Sequence, residues 1–359
     1  MKFARFVSSL ACFSLLGLGF VDAAAADTIR KVGRSPNVLG TVRSVSATEV
    51  NVEVQGAAQK IPTNEIDAIN FDNEPPEMQI IRGQLKSGND QSAITTLGRI
   101  NKAALTRKEI IQDYNFYAAL AQSRLALRGV GKVDVAGTAM FQFVNSVDGK
   151  SSYHYYQGQE TMGELLVALK SFDEALKCFA ELENSPFDDL KMRGGVARGR
   201  SLLVQGKYPE AQKAFEAVLA LKYDPATQKG TPAESQRFAA TLGRTQCISA
   251  SGNYDEAIKE LEDKVIAGLS AEETELQALA YVTLGNCYNA KPDGKKAALL
   301  AFLHVDVLYA AIPSAHAEAL WNLSNIWTEL GKNERGQECL NRLNRQYPGS
   351  PWLTKKKTG

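Results

Sequence analysis

One phrase is written three times in this chain. "SGNYDEAIKEL" stands at residues 251–261, "QGKYPEAQKAF" at 205–215 and "KSFDEALKCF" at 170–179. In each copy an Ala (Ala175, Ala211, Ala257) follows an aromatic residue three positions back and precedes an apolar one four positions on (Phe179, Phe215, Leu261). Residues three and four apart share one face of a helix, so each phrase opens a helix with an apolar stripe. Gly163, Gly199 and Thr245 stand 12 residues upstream of the respective Ala, inside a further helical stretch. A very small side chain there lets two helices approach closely. Each phrase therefore marks the turn of a helical hairpin, and a hairpin cannot bury its apolar face alone, so repeated hairpins must stack.

The ends of the chain imitate structure and are set aside first. Lys2 and Arg5 precede the apolar run "FVSSLACFSLLGLGFV" and the small-residue stretch "DAAAAD". That is the order of a secretory signal peptide, and the run of 16 is short of the roughly 20 residues a membrane-crossing helix needs. Cleavage is expected near Ala26, giving an exported protein, periplasmic or secreted, that is not an integral membrane protein. Loss of Lys2, Arg5 and Asp22 from 41 basic and 40 acidic residues leaves no net charge. Bulk electrostatics then provides no hold on nucleic acid. The end "TKKKTG" reads as a basic, disordered tail over 350–359.

Composition changes at "NFDNEPPEM". Before it, "EVNVEV" puts Val50, Val52 and Val54 on one face, and "KIPTNEIDAINF" reads as a strand, a helical turn carrying Ile66 and a last strand. Five short strands over 27–73 resemble the small SH3-like or Sm-like β-barrels. Pro75 and Pro76 then start a helix.

From residue 74 to 349 the hairpin pattern resembles the tetratricopeptide repeat, W-x2-L-G-x2-Y followed by A-x3-F and P. "YVTLGNCY" supplies Tyr281, Leu284, Gly285 and Tyr288, with Ala297 beyond; "LWNLSNIW" supplies Leu320, Leu323, Ser324 and Trp327 and ends in Pro348. Weaker hairpins lie at "IIRGQLKSGNDQSAITTLGRI" and at "NFYAALAQSRLAL" leading into "VAGTAMFQFV". The expected fold is mainly α, a superhelical solenoid of about seven hairpins behind the small β unit. The markers Ala175, Ala211, Ala257, Ala297 and Gly336 are 36, 46, 40 and 39 apart, wider than the roughly 34 of the strict repeat.

No reaction centre assembles. There is no Gly-rich phosphate loop after a strand, no HExxH, GxSxG or CxxC, and no cofactor or metal is expected. His304 and His316 are isolated and read as structural. "SSYHYYQGQE" admits an enzymatic reading, with His154 as base, Tyr153, Tyr155 and Tyr156 as a sugar platform and Glu160 and Glu164 as an acid/base pair. The plainer reading is a helix start whose aromatics pack on the preceding repeat. Cys178, Cys247, Cys287 and Cys339 recur at equivalent repeat positions, as packing residues do.

The resemblance implies a concave groove lined by the first helix of each hairpin and used for a protein or peptide partner. By repeat position that groove takes Arg193, Val196 and Arg200; Leu242 and Gln246; Val282, Asn286 and Asn289; and Trp321, Asn322, Asn325 and Thr328. Asn286 and Asn325 either bond a ligand's backbone or merely solvate the groove; Trp321 is expected as an exposed anchor, the alternative being a residue tucked against the sixth hairpin. The function expected is a non-catalytic interaction scaffold of the cell envelope. Alternatives are a carbohydrate-binding or hydrolytic protein centred on Tyr153–Glu164 and a structural component of an extracellular layer.

Overall fold

The computed structural model describes residues 26–33, 35–224, 228 and 231–354. Residues 1–25 of the expected leader and 355–359 of the expected tail lie outside the described residues; the first part of that tail is a correction, since Pro351–Leu353 form a 3₁₀ turn rather than a disordered end. Five strands come first: β1 (Asp27–Lys31), β2 (Val38–Val45), β3 (Glu49–Val54), β4 (Ala57–Pro62) and β5 (Ile66–Asn70), all antiparallel in the order β4-β3-β2-β1-β5. A single 3₁₀ turn, Thr63–Glu65, separates β4 from β5; Ile66 belongs to the strand rather than to the turn. Val50 and Val52 are buried, as the alternation of "EVNVEV" requires.

Pro76 opens α1 (Pro76–Lys86), its fixed φ suiting the first helical position. Among the described residues the rest is seven hairpins: α1 with α2 (Asp90–Leu97), α3 (Lys108–Leu127) with α4 (Val133–Asn145), and, after the short α5 (Val147–Lys150), α6 (Tyr155–Ala168) with α7 (Phe172–Glu183). Then come α8 (Asp188–Val204) with α9 (Tyr208–Ala220), α10 (Pro232–Ala250) with α11 (Tyr254–Glu260, prolonged by a π turn over Leu261–Ile266), α12 (Thr274–Asn289) with α13 (Lys295–Leu308), and α14 (Pro313–Glu329) with α15 (Asn333–Gln346).

The repeated phrase has a direct packing cause. A Cβ on Gly163 would come within 2.3 Å of the Phe179 ring, one on Gly199 within 2.5 Å of Phe215 and one on Gly285 within 2.7 Å of Phe302. The small residue of the first helix is the seat of the phenylalanine of the second. In the sixth hairpin the buried pair is Ala298 with Phe302, so the marker shifts one place from the expected Ala297; "KPDGK" lengthens the turn by a residue.

The core is segmented. The sheet and the first three hairpins share one cluster running from Ile29 through Phe71, Ile81 and Phe116 to Leu165; a second runs from Met192 to Ala301, and a third from Ala278 to Leu343. The sheet is pinned by Asp27, whose buried carboxylate accepts N–H bonds from Val42 (2.7 Å) and Asp72 (2.8 Å) and a bidentate pair from Arg107 (2.7 and 2.9 Å). It also reaches further along the solenoid, where Asn64 donates to Asp189 on α8 at 3.0 Å. The described cysteines carry free thiols, pushed up by burial.

Candidate partner-binding groove

Because the small-residue face of each first helix is taken up by its own second helix, the opposite side of α6, α8, α10 and α12 turns inward. These four consecutive first helices enclose a cavity of about 310 Å³. Val167, Val196, Val204 and Leu276 form its apolar surface, and Val204 is 66% exposed to it and to solvent. Its charged rim is Glu160, Glu164, Arg193, Arg200 and Glu275. Arg193 pairs with Glu160, its Nε 3.3 Å from Oε1. Desolvation between the helices, then the neighbouring Glu160, push the Glu164 carboxyl up to about 7, with Arg200 and Arg193 pulling the other way and Glu275 adding to the rise.

A larger cavity of about 680 Å³ lies on the inner face of α1, α3 and the start of α6, with Arg30 and Asp67 of the sheet in its wall. Glu275 of α12 lines both cavities, so the superhelix has wound far enough to bring the sixth hairpin across the first three. Asp67 is shared by Arg30 and Lys86, and the buried Asp90 by Arg124 and Arg128.

Of the residues expected in the groove, Arg193, Val196 and Arg200 line the smaller cavity together. The others do not join them. Gln246 donates to Thr283 at 3.1 Å and ties α10 to α12; Asn286 donates to Glu318 at 2.9 Å across the next hairpin; Asn322 is buried and donates to the Glu318 carbonyl at 3.0 Å. Asn289 and Asn325 are half-buried, each with a buried Oδ1 that has no hydrogen-bond partner. Trp321 is a correction: it is 8% exposed, in the third core cluster, with the Trp352 ring 5.2 Å away. Its repeat position is that of Val196, Leu242 and Val282, all buried, and the 3₁₀ turn Pro351–Leu353 returns over it. Glu164, Glu275 and Leu276 complete the groove; Glu275 sits there only through the superhelical turn.

The cluster Tyr153–Glu164 separates into two places. Glu160 and Glu164 face the groove, while Tyr153 and His154 are buried, His154 in the wall of the larger cavity. His154 stacks on Phe116 (4.0 Å) and its Nε2 lies 3.1 Å from Asp113 Oδ1; Tyr117 and Tyr153 donate to Asp113 Oδ2 at 3.2 and 3.3 Å. Arg82 completes the network, bonding Glu74 through both Nη atoms at 2.6 Å and Asp113 at 3.1 Å. Burial lowers the His154 pKa and raises those of both tyrosines. This network joins the helix start to the preceding hairpin, as the plainer sequence reading has it. Among the described residues no group of His, Cys, Asp and Glu is arranged to hold a metal ion, and no helix is long and apolar enough to cross a membrane.

Two tetratricopeptide repeat family models match this chain, over residues 196–273 and 318–350. The human DnaJ homolog subfamily C member 3 is 29% identical over 214 residues, 56% of this chain and 38% of that protein; the chicken homologue is 33% identical over 155 residues, 40% and 28% respectively. The chain thus spans well under half the length of the curated relatives it matches. Among solved structures, the apo form of RapI aligns with a TM-score of 0.55 at 12% identity, over 76% of this chain and 98% of that one. A Rap protein complexed with Competence and Sporulation Factor aligns with a TM-score of 0.50 at 13% identity, over 77% and 78%. At such identities these two share the fold. With its matched segments, its small-residue and phenylalanine contacts and its stacked hairpins, the chain carries tetratricopeptide repeats in a helical solenoid.

Proposed function

We propose that this protein is an exported, non-catalytic scaffold that holds a segment of a partner protein in its concave groove and works in assembly or maintenance of the cell envelope. The observation that carries the reading is the convergence of four first helices on one cavity with an apolar wall and a charged rim. The relatives support it as far as their names go, one of the aligned Rap proteins being complexed with Competence and Sporulation Factor. Export is supported by the charge, apolar and small-residue order of residues 1–26. The strand order β4-β3-β2-β1-β5, with its 3₁₀ turn before the last strand, supports an SH3-like reading of the N-terminal unit.

A photo-crosslinking side chain at Val204, in the groove, is compared in periplasmic extract with one at Lys213, exposed on α9. Discrete adducts from position 204 alone, on a chain whose mass lacks the leader, are the expected result. The same adducts from position 213, or none from 204, sink the groove reading; an intact Met1 sinks the export reading.

A further inference from the structure

The two inner cavities differ in the sign of their unbalanced charge. In the smaller one Glu160 and Arg193 cancel, leaving Glu164 and Glu275 against Arg200; none of these three makes an ion pair with another described residue. In the larger one Arg30, Lys86, Arg124 and Arg128 face only Asp67 and Asp90 among the groups they pair with. Arg82, also in that wall, is neutralised from behind by Glu74 and Asp113. Glu275 borders both cavities, which therefore adjoin at its side chain; taken together as one passage they are cationic beside the first two hairpins and anionic beside the third to sixth.

Resting on the groove reading above, we infer that the passage takes an extended peptide segment in one orientation. Acidic side chains lie along α1 and α3, and an apolar side chain followed by a Lys or Arg lies against Val204 and Leu276, its cation between Glu164 and Glu275. Charge complementarity selects that occupant: a cation there relieves the repulsion between two carboxylates that lack a partner of their own, while an acidic end meets the surplus guanidinium and ammonium groups. The apolar wall supplies affinity without selecting orientation. A neutral or uniformly charged segment would leave one end of the passage uncompensated. The groups facing Glu164 are Glu160 on its own helix, Arg193 and Arg200 on α8 and Glu275 on α12; desolvation between the helices, then Glu160, keeps its carboxyl protonated to a higher pH than usual, against the pull of the two arginines. Binding of the basic end therefore strengthens as the pH rises from 6 to 8.

The test uses the full mature chain and fluorescent ten-residue peptides: one with two Asp at one end and Leu-Lys near the other, made in both chain directions, its charge-swapped counterpart of each, and a neutral version with the same Leu. Fluorescence anisotropy in low salt is expected to show one direction of the Asp/Leu-Lys peptide binding roughly tenfold tighter than its charge-swapped and neutral counterparts. That preference should fall below about twofold in 0.5 M salt. Glu164→Gln with Glu275→Gln should abolish the preference while leaving the far-UV circular dichroism unchanged. Equal affinity for all peptides overturns the charge inference and leaves the groove reading standing. Absence of any peptide binding, with the Val204 crosslink present, likewise overturns only this inference; absence of both overturns the groove reading itself.

Discussion

In several hairpins a glycine leaves room that a phenylalanine ring fills. Gly163 and Gly199 are seats for Phe179 and Phe215, and Gly243 is a second seat for the same Phe215. Gly163→Ala should therefore cost about 1–3 kcal/mol, since the new methyl meets a ring that is itself fully packed. Gly83 is the contrast: it lies inside α1 with nothing within 4 Å of its missing Cβ. Gly83→Ala should stabilise by roughly 0.5–1 kcal/mol through helix propensity alone. Urea denaturation of both variants checks the pair, and a like sign for the two changes refutes the packing account. This residue pattern was legible in the sequence because the seat and the ring are 16 residues apart in two of the repeated phrases, a purely local relation. Trp321 was not. The equivalent Val196, Leu242 and Val282 are buried without help, but the cover over so large a ring, Trp352, arrives only after α15 has ended and turned back, and no spacing within the hairpin announces that.

At the scale of elements, hairpins stacked in a row touch their neighbours and little else, so damage stays local. The three core clusters divide the array into the sheet with hairpins one to three, a middle block, and the last hairpins. Leu343, fully buried on α15, belongs to the third. Leu343→Ala should cost about 2–5 kcal/mol within that block. Hydrogen exchange is then expected to accelerate in α14 and α15 while the sheet, α1 and α3 keep their protection. Uniform acceleration along the whole chain would show a single cooperative unit instead. The elements themselves were legible: seven hairpins, the break at Pro75 and the five strands all follow from periodicity and breakers. The register of the sixth second helix was not, because one extra residue in "KPDGK" moves the buried Ala from 297 to 298 without changing the apolar character of either position.

For the molecule as a whole, the ion pairs that join separate elements set its response to acid. Asp306 on α13 accepts both Nη groups of Arg342 on α15, at 2.9 and 2.5 Å, and His316 Nε2 of α14 lies 2.7 Å from it; burial works against its charge, but His316 and Arg342 hold its carboxyl down to about 2. Asp27 is lowered in the same way by Arg107 and two backbone N–H groups, again against desolvation. A carboxyl whose folded pKa is depressed stabilises the fold above its ordinary value near 4 and loses that contribution as the pH falls through the folded value. Asp306→Asn should then cost about 2 kcal/mol at pH 7, the equivalent of so large a depression, with the difference from the parent closing by about pH 2. A difference that persists unchanged at pH 2 means that packing, not charge, was lost. Glu164 has the opposite sign, so its contribution declines from about pH 4.5 to 7. The groove around it was half legible: Arg193 and Arg200 follow from repeat position, while Glu275 arrives only through the winding of the whole array.

The contact between Asn64 and Asp189 gives that winding a mechanical meaning. A bare stack of hairpins is a spring, compliant along its axis because each coil grips only the next. Here a sheet anchored on the first coils also grips the fourth, and its 3₁₀ turn and first strand face the starts of α8 and α10. Tension between the chain ends cannot be shared evenly by all seven coils. The tied stretch resists opening of the inner passage more than the stretch beyond α10, which is expected to yield first.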